Sequence, residues 1–420
     1  MRALVLGGGG REHALCWALD QAASVSHVVC APGNAGIAEV AEVRAVDAGD
    51  PSAVVSLAGD VDADVVVVGP EAPLIAGVAD ALTDAGVPVF GPTAAAARLE
   101  GSKEFAKDVM VSAGVATASY WSGTSAEEAR EALSGFAAPY VVKADGLAAG
   151  KGVRICGSRQ EAEEAIDQMM VDRAFGAAGD RVVIEEFLAG PEVSVFALCD
   201  GTTTRILETA RDYKRALDGD SGLNTGGMGA VSPAPDLPEA FRAQVREEVI
   251  DPVLAEMAAR GTPYVGALYA GFVLTAQGPR VLEFNVRLGD PETQAVLPRL
   301  ASDLGEALLA AATGRLADRP GLDFYDTHCV TVVLASGGYP GEYRTGKEIT
   351  GLEEAASVPG AAVFHAGTRR DGGRIVTAGG RVLAVSGRGS TVAQARATAY
   401  QAADAIHFEG LHRREDIAEL

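Results

Sequence analysis

VLEFNVRLGDPE, residues 281–292, alternates apolar Leu282, Phe284 and Val286 with polar Glu283, Asn285 and Arg287. A strand sends successive side chains to opposite faces, so one face is apolar and the other carries a carboxylate, an amide and a guanidinium. A carboxylate and an amide oxygen two residues apart project in parallel. That suits a hard cation that takes oxygen ligands and keeps its other positions for water and phosphate, which predicts magnesium carrying a nucleotide. A half-exposed strand with a solvated polar face is the alternative for any lone E-x-N-x-R. The tight turn Gly289-Asp290-Pro291-Glu292 favours a site, because it adds two acids beside the same edge.

Working outward, 420 residues exceed one ordinary core and predict several domains. An apolar share of 48% predicts a globular, core-forming chain. With 57 acidic against 35 basic residues and a formal charge of -22, nucleic-acid or anionic-membrane binding is not expected as the main task. Phosphate ligands would need local cations and magnesium to overcome that field. The apolar run Ala3 to Leu6 stops at glycines, so neither a signal peptide nor a span of about 20 residues is read there. Five cysteines without C-x-x-C spacing fit core positions, a reducing cytoplasm and no zinc site.

At the start of the chain, Arg2 to Leu6 runs as a short strand into Gly7-Gly8-Gly9-Gly10 and then a helical stripe of Ala14, Leu15, Ala18 and Leu19. Such a junction aims backbone N–H groups at an anion. A dinucleotide fingerprint beginning at Gly7 fails because Glu12 stands where its third glycine is needed. Further strands at His27 to Ala31, Asp64 to Gly69 and Val87 to Phe90 end in the turns APGNAG, VGPEAP and FGPT, which predicts a doubly wound α/β unit of roughly 100 residues. Asn34, Glu71 and Pro73 at these strand ends are candidate contacts, with plain turn formation as the alternative.

Downstream, SKEFAKDVMVSAG reads as a helix with Lys103 and Lys107 on one side, and the Tyr140 to Lys143 strand ends in ADGLAAGKGV. That segment is not a P-loop: Gly146 to Gly150 is one residue short, and Gly152 replaces the magnesium-holding hydroxyl. Lys143, Lys151 and the glycines instead suggest a flexible lid over a triphosphate, with a hairpin loop as the alternative. The Arg181 to Phe187 strand ends in EEFLAGPE, whose backbone could meet a purine edge, with Glu192 available to ribose hydroxyls. ARDYKRALDGDSGLNTGGMGAVSP reads as a long functional loop in which Asp212, Lys214 and Arg215 lie beside an NTGGMG turn with free N–H groups for a carboxylate. From His328 the chain is strand-rich and is expected to form a small mixed α+β cap.

GGREHAL, APGNAG, VGPEAPL, FGPT, LEGSKEFAKD, VVKADGLAAGKGV, VIEEFLAGPEVS, NTGGMGA, LYAG, EFNVRLGDPETQ and ASGGYPG, spread in order from Leu4 to about Ile417, closely resemble the phosphoribosylamine-glycine ligase family of the ATP-grasp superfamily. The resemblance implies a multidomain α/β and α+β chain with an ATP-grasp fold. Its expected parts are an N-terminal doubly wound domain over 1–100, an ATP-grasp domain over 101–322 with its lid at about 120–190, and a C-terminal α+β domain over 323–420. It implies ligation of glycine to 5-phosphoribosylamine with ATP in purine biosynthesis, giving glycinamide ribonucleotide, ADP and phosphate, with Mg2+ or Mn2+ on Glu283 and Asn285. Two departures stand out: glycine at the second position of the first turn, and no acid on the Gly266 to Thr275 strand, where many ATP-grasp enzymes place another metal ligand.

With that reaction in view, Lys103, Lys143, Gly146, Gly150, Lys151 and Gly152 are assigned to the triphosphate, and Glu186, Phe187, Leu188 and Glu192 to the nucleoside. Arg287, Asp212 and Lys214 are expected to be catalytic, acting on glycine and the acyl phosphate. Substrate contacts are expected from Gly9, Gly10, Arg11, Glu12, His13, Asn34, Arg215, Asn224, Gly227 and Asp290. The partners expected are small-molecule substrates only, with neither nucleic acid nor membrane, acting on a cytoplasmic monomer. Another ATP-grasp ligase or carboxylase is the neighbouring alternative. An NAD-dependent oxidoreductase and a non-catalytic binding module are the more distant ones.

Overall fold

The first parallel sheet is built from short Val-rich strands that are buried on both faces. Its order is Glu42–Val43, His27–Pro32, Arg2–Gly7, Val65–Val68 and Val89–Phe90. Strand order reverses at Arg2–Gly7, and the Gly10–Asp20 helix springs from that switch point, where open α/β sheets expose a ligand crevice. Ala14, Leu15 and Leu19 of the helix are buried, whereas Ala18 is only partly so. This structure, a computed structural model, describes residues 1–146, 152–238 and 240–419.

A second, antiparallel sheet has the order Tyr120–Gly123, Val182–Glu186, Tyr140–Ala144 and Val153–Cys156. Val142, Ala144, Val182 and Ile184 form its apolar face, packed against Ala162, Ala165 and Ile166 of the Arg159–Ile166 helix. Alternation then sends Lys143 and Glu185 to the other face.

The third sheet is antiparallel throughout and runs Gly278–Asn285, Val265–Thr275, Glu192–Asp200, Thr204–Asp212, Gly229–Ser232, His328–Ser336, Arg381–Gly389, Ala361–His365. Strands from the last hundred residues therefore continue the sheet that carries Glu283, joined to it at Gly229–Ser232 and His328–Ser336. One hydrophobic core runs from Leu4 and Val66 of the first sheet to Phe272 and Phe284 of the third and Val286 just beyond it.

Two local expectations change. The segment read as a long loop contains the end of the Thr204–Asp212 strand, a small hairpin of Arg215–Leu217 with Ser221–Asn224, and the buried Gly229–Ser232 strand. Glycines hid this order, since neither two-residue nor helical periodicity survives there. In the opening stretch the ladder slips between Gly271 and Phe272, so Val281 takes the core position expected of Leu282, and a bulge separates it from Glu283. Phe284 and Val286 are buried as expected, and all five cysteines are buried and free. Among the described residues no helix is long and apolar enough to cross a membrane.

Candidate active site

Residues directly opposed in an antiparallel ladder share a face. Asn285 stands opposite Tyr269, Glu283 opposite Gly271, and Gly271 opposite Ser194, so these residues line one face of the large sheet. Tyr269 Oη lies 2.8 Å from Ser194 Oγ. Gly271 occupies the place opposite Glu283, where a Cβ would touch the Tyr269 ring at 3.4 Å and Glu283 Cγ at 3.5 Å.

Cations reach this face from three other segments. The surrounding protein disfavours charge on Glu283, but Lys214, Lys143 and Lys103 outweigh it and hold the carboxyl below its ordinary value. Lys103 opens the Lys103–Ser112 helix, which is N-capped by Ser102 Oγ accepting from Phe105 N at 3.1 Å, and its Nζ donates to Gly146 O at 2.9 Å. Lys143 Nζ lies 2.8 Å from Glu185 Oε1, and Lys107 Nζ lies 3.2 Å from Glu185 Oε2. All three side chains are buried, so one carboxylate faces two ammonium groups. Burial outweighs Glu185 and pulls Lys107 down to about 8. Lys107 also donates to Thr117 Oγ1 at 2.8 Å, which donates to Val281 O at 2.7 Å, tying the cation pair to the Glu283 strand.

Acids gather on the other side. Lys214 Nζ meets Glu192 Oε2 at 2.5 Å, and both side chains are partly buried, 33% and 42% exposed. Burial would lower Lys214, but Asp212 and Tyr269 raise it well above the usual lysine range. Burial raises Asp212 against the pull of Lys214. Burial and the nearby Asp212 charge push the buried Glu292 up to about 7. Arg287 bridges to two helices, Glu71–Ile75 and Ala94–Gly101: it donates to Glu71 at 3.3 Å and Glu100 at 3.1 Å, and also to Asn285 Oδ1 at 3.2 Å. Burial opposes its charge, yet Glu100 and Glu71 hold the guanidinium above its ordinary value.

Several of the expected substrate contacts are engaged within the protein. Arg11, Glu12 and His13 are buried and engaged internally. Arg11 Nε donates to Glu12 Oε1 at 2.6 Å, Arg11 Nη1 to Leu288 O at 3.0 Å, and Glu12 Oε2 accepts from Gly9 N at 2.6 Å. His13 Nδ1 accepts from His365 N at 2.7 Å. Asn34 makes turn bonds: its Oδ1 accepts from Gly36 and Ile37, and its Nδ2 donates to Gly8 O and His365 O. The NTGGMG N–H groups are not free. Gly226 N donates to Tyr339 Oη, Gly227 N to Thr225 Oγ1 and Met228 N to Tyr213 O. Arg215 donates to Gly222 O and pairs with Asn224 inside the exposed hairpin.

Other expected residues sit at the site's margins. Glu186 accepts from Ser119 N at 2.8 Å, Phe187 is exposed and Leu188 half-buried. Asp290 accepts from Arg11 N at 3.3 Å and from Gln294 Nε2 at 2.9 Å, beside buried Gly10. Gly152 O accepts from Ala144 N at 2.8 Å, while Gly150 and Lys151 lie outside the described residues. Sequence reading missed Glu185 and Glu100. For Glu185 the signal was strand parity with Lys143 once the register is known; Glu100, in a helix, had no such signal.

Among the described residues, no three His, Cys, Asp or Glu side chains converge to hold a metal by themselves. Glu283 with Asn285 still fits magnesium, which takes one or two protein oxygens and leaves its other positions to water and phosphate. Asn285 Oδ1 has a second lone pair beyond the Arg287 bond. The cation excess around Glu185 and Glu283 fits a polyphosphate.

The chain matches the models of the Phosphoribosylglycinamide synthetase N domain over residues 1–100, ATP-grasp (A) domain over 101–293 and C domain over 329–420. It is 55% identical to the phosphoribosylamine–glycine ligase of Streptomyces coelicolor over 420 residues, covering 100% of this chain and 99% of that one. A crystal structure of the phosphoribosylamine–glycine ligase of Thermotoga maritima superposes with a TM-score of 0.87 at 37% identity, covering 99% of this chain and 100% of the other. The biotin carboxylase domain of the Hydrogenobacter thermophilus 2-oxoglutarate carboxylase, at 18% identity and a TM-score of 0.75 over 98% of this chain and 91% of that one, shares the fold. With an ATP-grasp fold, a lysine-lined carboxylate–amide face and relatives that match it end to end, the chain belongs to the phosphoribosylamine–glycine ligase family.

Proposed function

We propose that this chain joins the carboxylate of glycine to the amine of 5-phosphoribosylamine, giving glycinamide ribonucleotide, ADP and phosphate through a glycyl phosphate. Family membership supports the overall reaction, a C–N ligation in purine biosynthesis. The observation that carries the chemical reading is Glu283, kept ionised on an open face by lysines from three segments. A carboxylate is a poor electrophile, and with no acyl-enzyme nucleophile assigned, phosphoryl activation depends on positioning and charge neutralisation.

On this reading Lys103, Lys143 and the 146–152 segment hold the triphosphate, and the Glu186 to Leu188 hinge holds the base, with Glu192 at the ribose edge. Glu283 and Asn285 hold magnesium or manganese, which when bound neutralises phosphate charge during transfer. Lys214 and Asp212 receive glycine, its carboxylate near Lys214 and its ammonium near Asp212. Arg287 holds Asn285 in place and lends positive charge to the transferring phosphoryl group. The phosphoribosyl group lies along the backbone of Gly9 and Gly10 beside Asp290, with Arg11, Glu12 and His13 supporting that backbone from behind. The attacking amine must shed a proton, and Glu292, pushed up to about 7 by burial and the nearby Asp212 charge, is the group proposed to take it.

The test uses glycine labelled with oxygen-18 in its carboxylate. One label is expected in the released phosphate when phosphoribosylamine is present, with unlabelled ADP. Label retained wholly in glycinamide ribonucleotide, or release of AMP and pyrophosphate, overturns the acyl-phosphate route.

A further inference from the structure

The C-terminal tail is clamped onto the segment that presents Asp212 and Lys214. Arg414 is 1% exposed, an unusual position for a guanidinium. Its Nε and Nη2 each donate to Asp416 at 2.7 Å in a two-pronged pair, and its Nη1 donates to Arg215 O at 3.2 Å and Asp220 Oδ1 at 3.3 Å. The guanidinium carbon lies 5.3 Å from the centre of the Tyr213 ring. The same hairpin is held at further points: Gly219 N donates to Asp416 Oδ2 at 2.8 Å, Glu415 N to Asp218 Oδ1 at 2.9 Å, and His412 Nε2 lies 2.8 Å from Ala216 O.

Tyr213 lies between Asp212 and Lys214, just past the end of the Thr204–Asp212 strand, and its own N–H and C=O bond to Gly229 and Met228, so the strand-like pairing carries on through it. Alternation in such a segment sends Tyr213 to one side and its two neighbours to the other. The Tyr213 ring packs with the tail-side core that includes Ile417 and Ala418, whereas Lys214 reaches Glu192 and the Asp212 charge acts on Glu292. Holding the ring therefore fixes the angle at which the acid and the ammonium enter the site. A cation buried against this ring and tied to the carbonyl of Arg215 does that from both sides of Lys214.

We propose that Arg414 is a positioning residue for the ligation, acting through Tyr213 and the Arg215 carbonyl to hold Lys214 and Asp212 in register with glycine. The proposal rests on the reading that these two residues receive glycine. Misplacing a binding group by about 1 Å is enough to cost one to two orders of magnitude, so a selective loss in glycine use is expected.

The test compares Arg414→Met, Arg414→Lys and Asp416→Asn in the full chain, with melting temperature and the steady-state constants for each substrate. Asp416→Asn removes the carboxylate charge while keeping the shape, which guards against simple misfolding in Arg414→Met. We expect KM for glycine to rise about tenfold in Arg414→Met and less in Asp416→Asn, partial recovery in Arg414→Lys, and an unchanged KM for ATP. A uniform fall in kcat with both KM values unchanged, or no change in glycine KM in a folded Asp416→Asn and Arg414→Met, overturns the positioning role. Lys214→Met separates the two levels. If it raises glycine KM while the tail variants do not, the positioning inference fails alone; if it leaves glycine KM unchanged, the glycine assignment has failed.

Discussion

The Gly7 to His13 segment and the Glu283 to Arg287 stretch, the end of a strand and the bend after it, both pack charged residues beside a glycine-rich bend, yet their charges are satisfied in opposite ways. In the turn, charge is satisfied at short range: Arg11 meets its neighbour Glu12 at 2.6 Å, and Glu12 closes back on Gly9. On the strand, alternation puts Glu283 and Asn285 on one side, Arg287 follows in the bend, and the charges find partners in distant segments: Lys103, Lys143 and Lys214 for the carboxylate, Glu71 and Glu100 for the guanidinium. Charges in the first segment close on one another, while those of the second depend on cations and acids from elsewhere in the chain, which is why the proposed site is placed there.

Removing Glu283 should break the comparison most sharply. Glu283→Gln keeps shape but deletes the charge that three lysines surround, and turnover at saturating magnesium is expected to fall by roughly 10²- to 10³-fold, the loss typical of a group that stabilises developing charge. Glu12→Gln, on the turn, should lower thermal stability while leaving the metal dependence of turnover in place. Near wild-type turnover in Glu283→Gln would sink the metal assignment. Arg287→Met comes next: it leaves Glu100 and Glu71 facing one another without their cation, at a cost of about 3 kcal/mol, the lower end for breaking a buried pair. Urea unfolding measures it, and a loss below about 0.5 kcal/mol, the scale of ordinary surface changes, would show that the Arg287 bridge is dispensable.

Lys107 sharpens the comparison at the phosphate end. Burial holds its ammonium at about 8, so it loses its proton just above neutrality while Lys143 remains beside Glu185. The excess positive charge then disappears, and KM for ATP is expected to rise as pH passes 8. In Lys107→Met that rise should vanish, with KM already several-fold higher at pH 7, the size of a lost charge-assisted contact. A wild-type KM for ATP that stays flat from pH 7 to pH 9 argues against the idea.

How much of this could be read from residues alone follows from the range of each interaction. Phe284 and Val286 were legible as core because alternation is local, but Leu282 was not, because the bulge depends on how Gly271 and Phe272 of another strand align. Lys143 was legible as a cation at a strand end. Glu185 was not, although its place on the same face follows at once from the pairing of Val141 with Glu185 and Lys143 with Val183. The NTGGMG turn looked like a set of free donors because the acceptors, Tyr339 Oη and Tyr213 O, lie far off or behind a hairpin. The tail clamp had no local signal: its partners are separated by nearly 200 positions, Arg215 with Arg414 and Gly219 with Asp416.

The smallest expected effect concerns the junction itself. His13 is held down to about 3, chiefly by burial and then by His365, which burial and Arg370 hold at about 4. Both rings are neutral at pH 7, and Nδ1 of His13 accepts the backbone N–H of His365, which a protonated ring could not do. In the unfolded chain each histidine takes up a proton near pH 6.5, so below that pH the unfolded state binds more protons than the folded one. The stability that the neutral pair contributes is complete above about pH 6.5 and drains away as pH falls towards 4. His13→Asn keeps an acceptor for the His365 N–H but cannot be protonated. Its melting temperature should lie close to wild type at pH 7.5 and decline less steeply between pH 6.5 and 4.5, with catalysis at neutral pH unchanged. A loss of turnover in a stably folded His13→Asn would instead place this ring against substrate, and the contrast between a closed turn and an open strand face would fail at the turn.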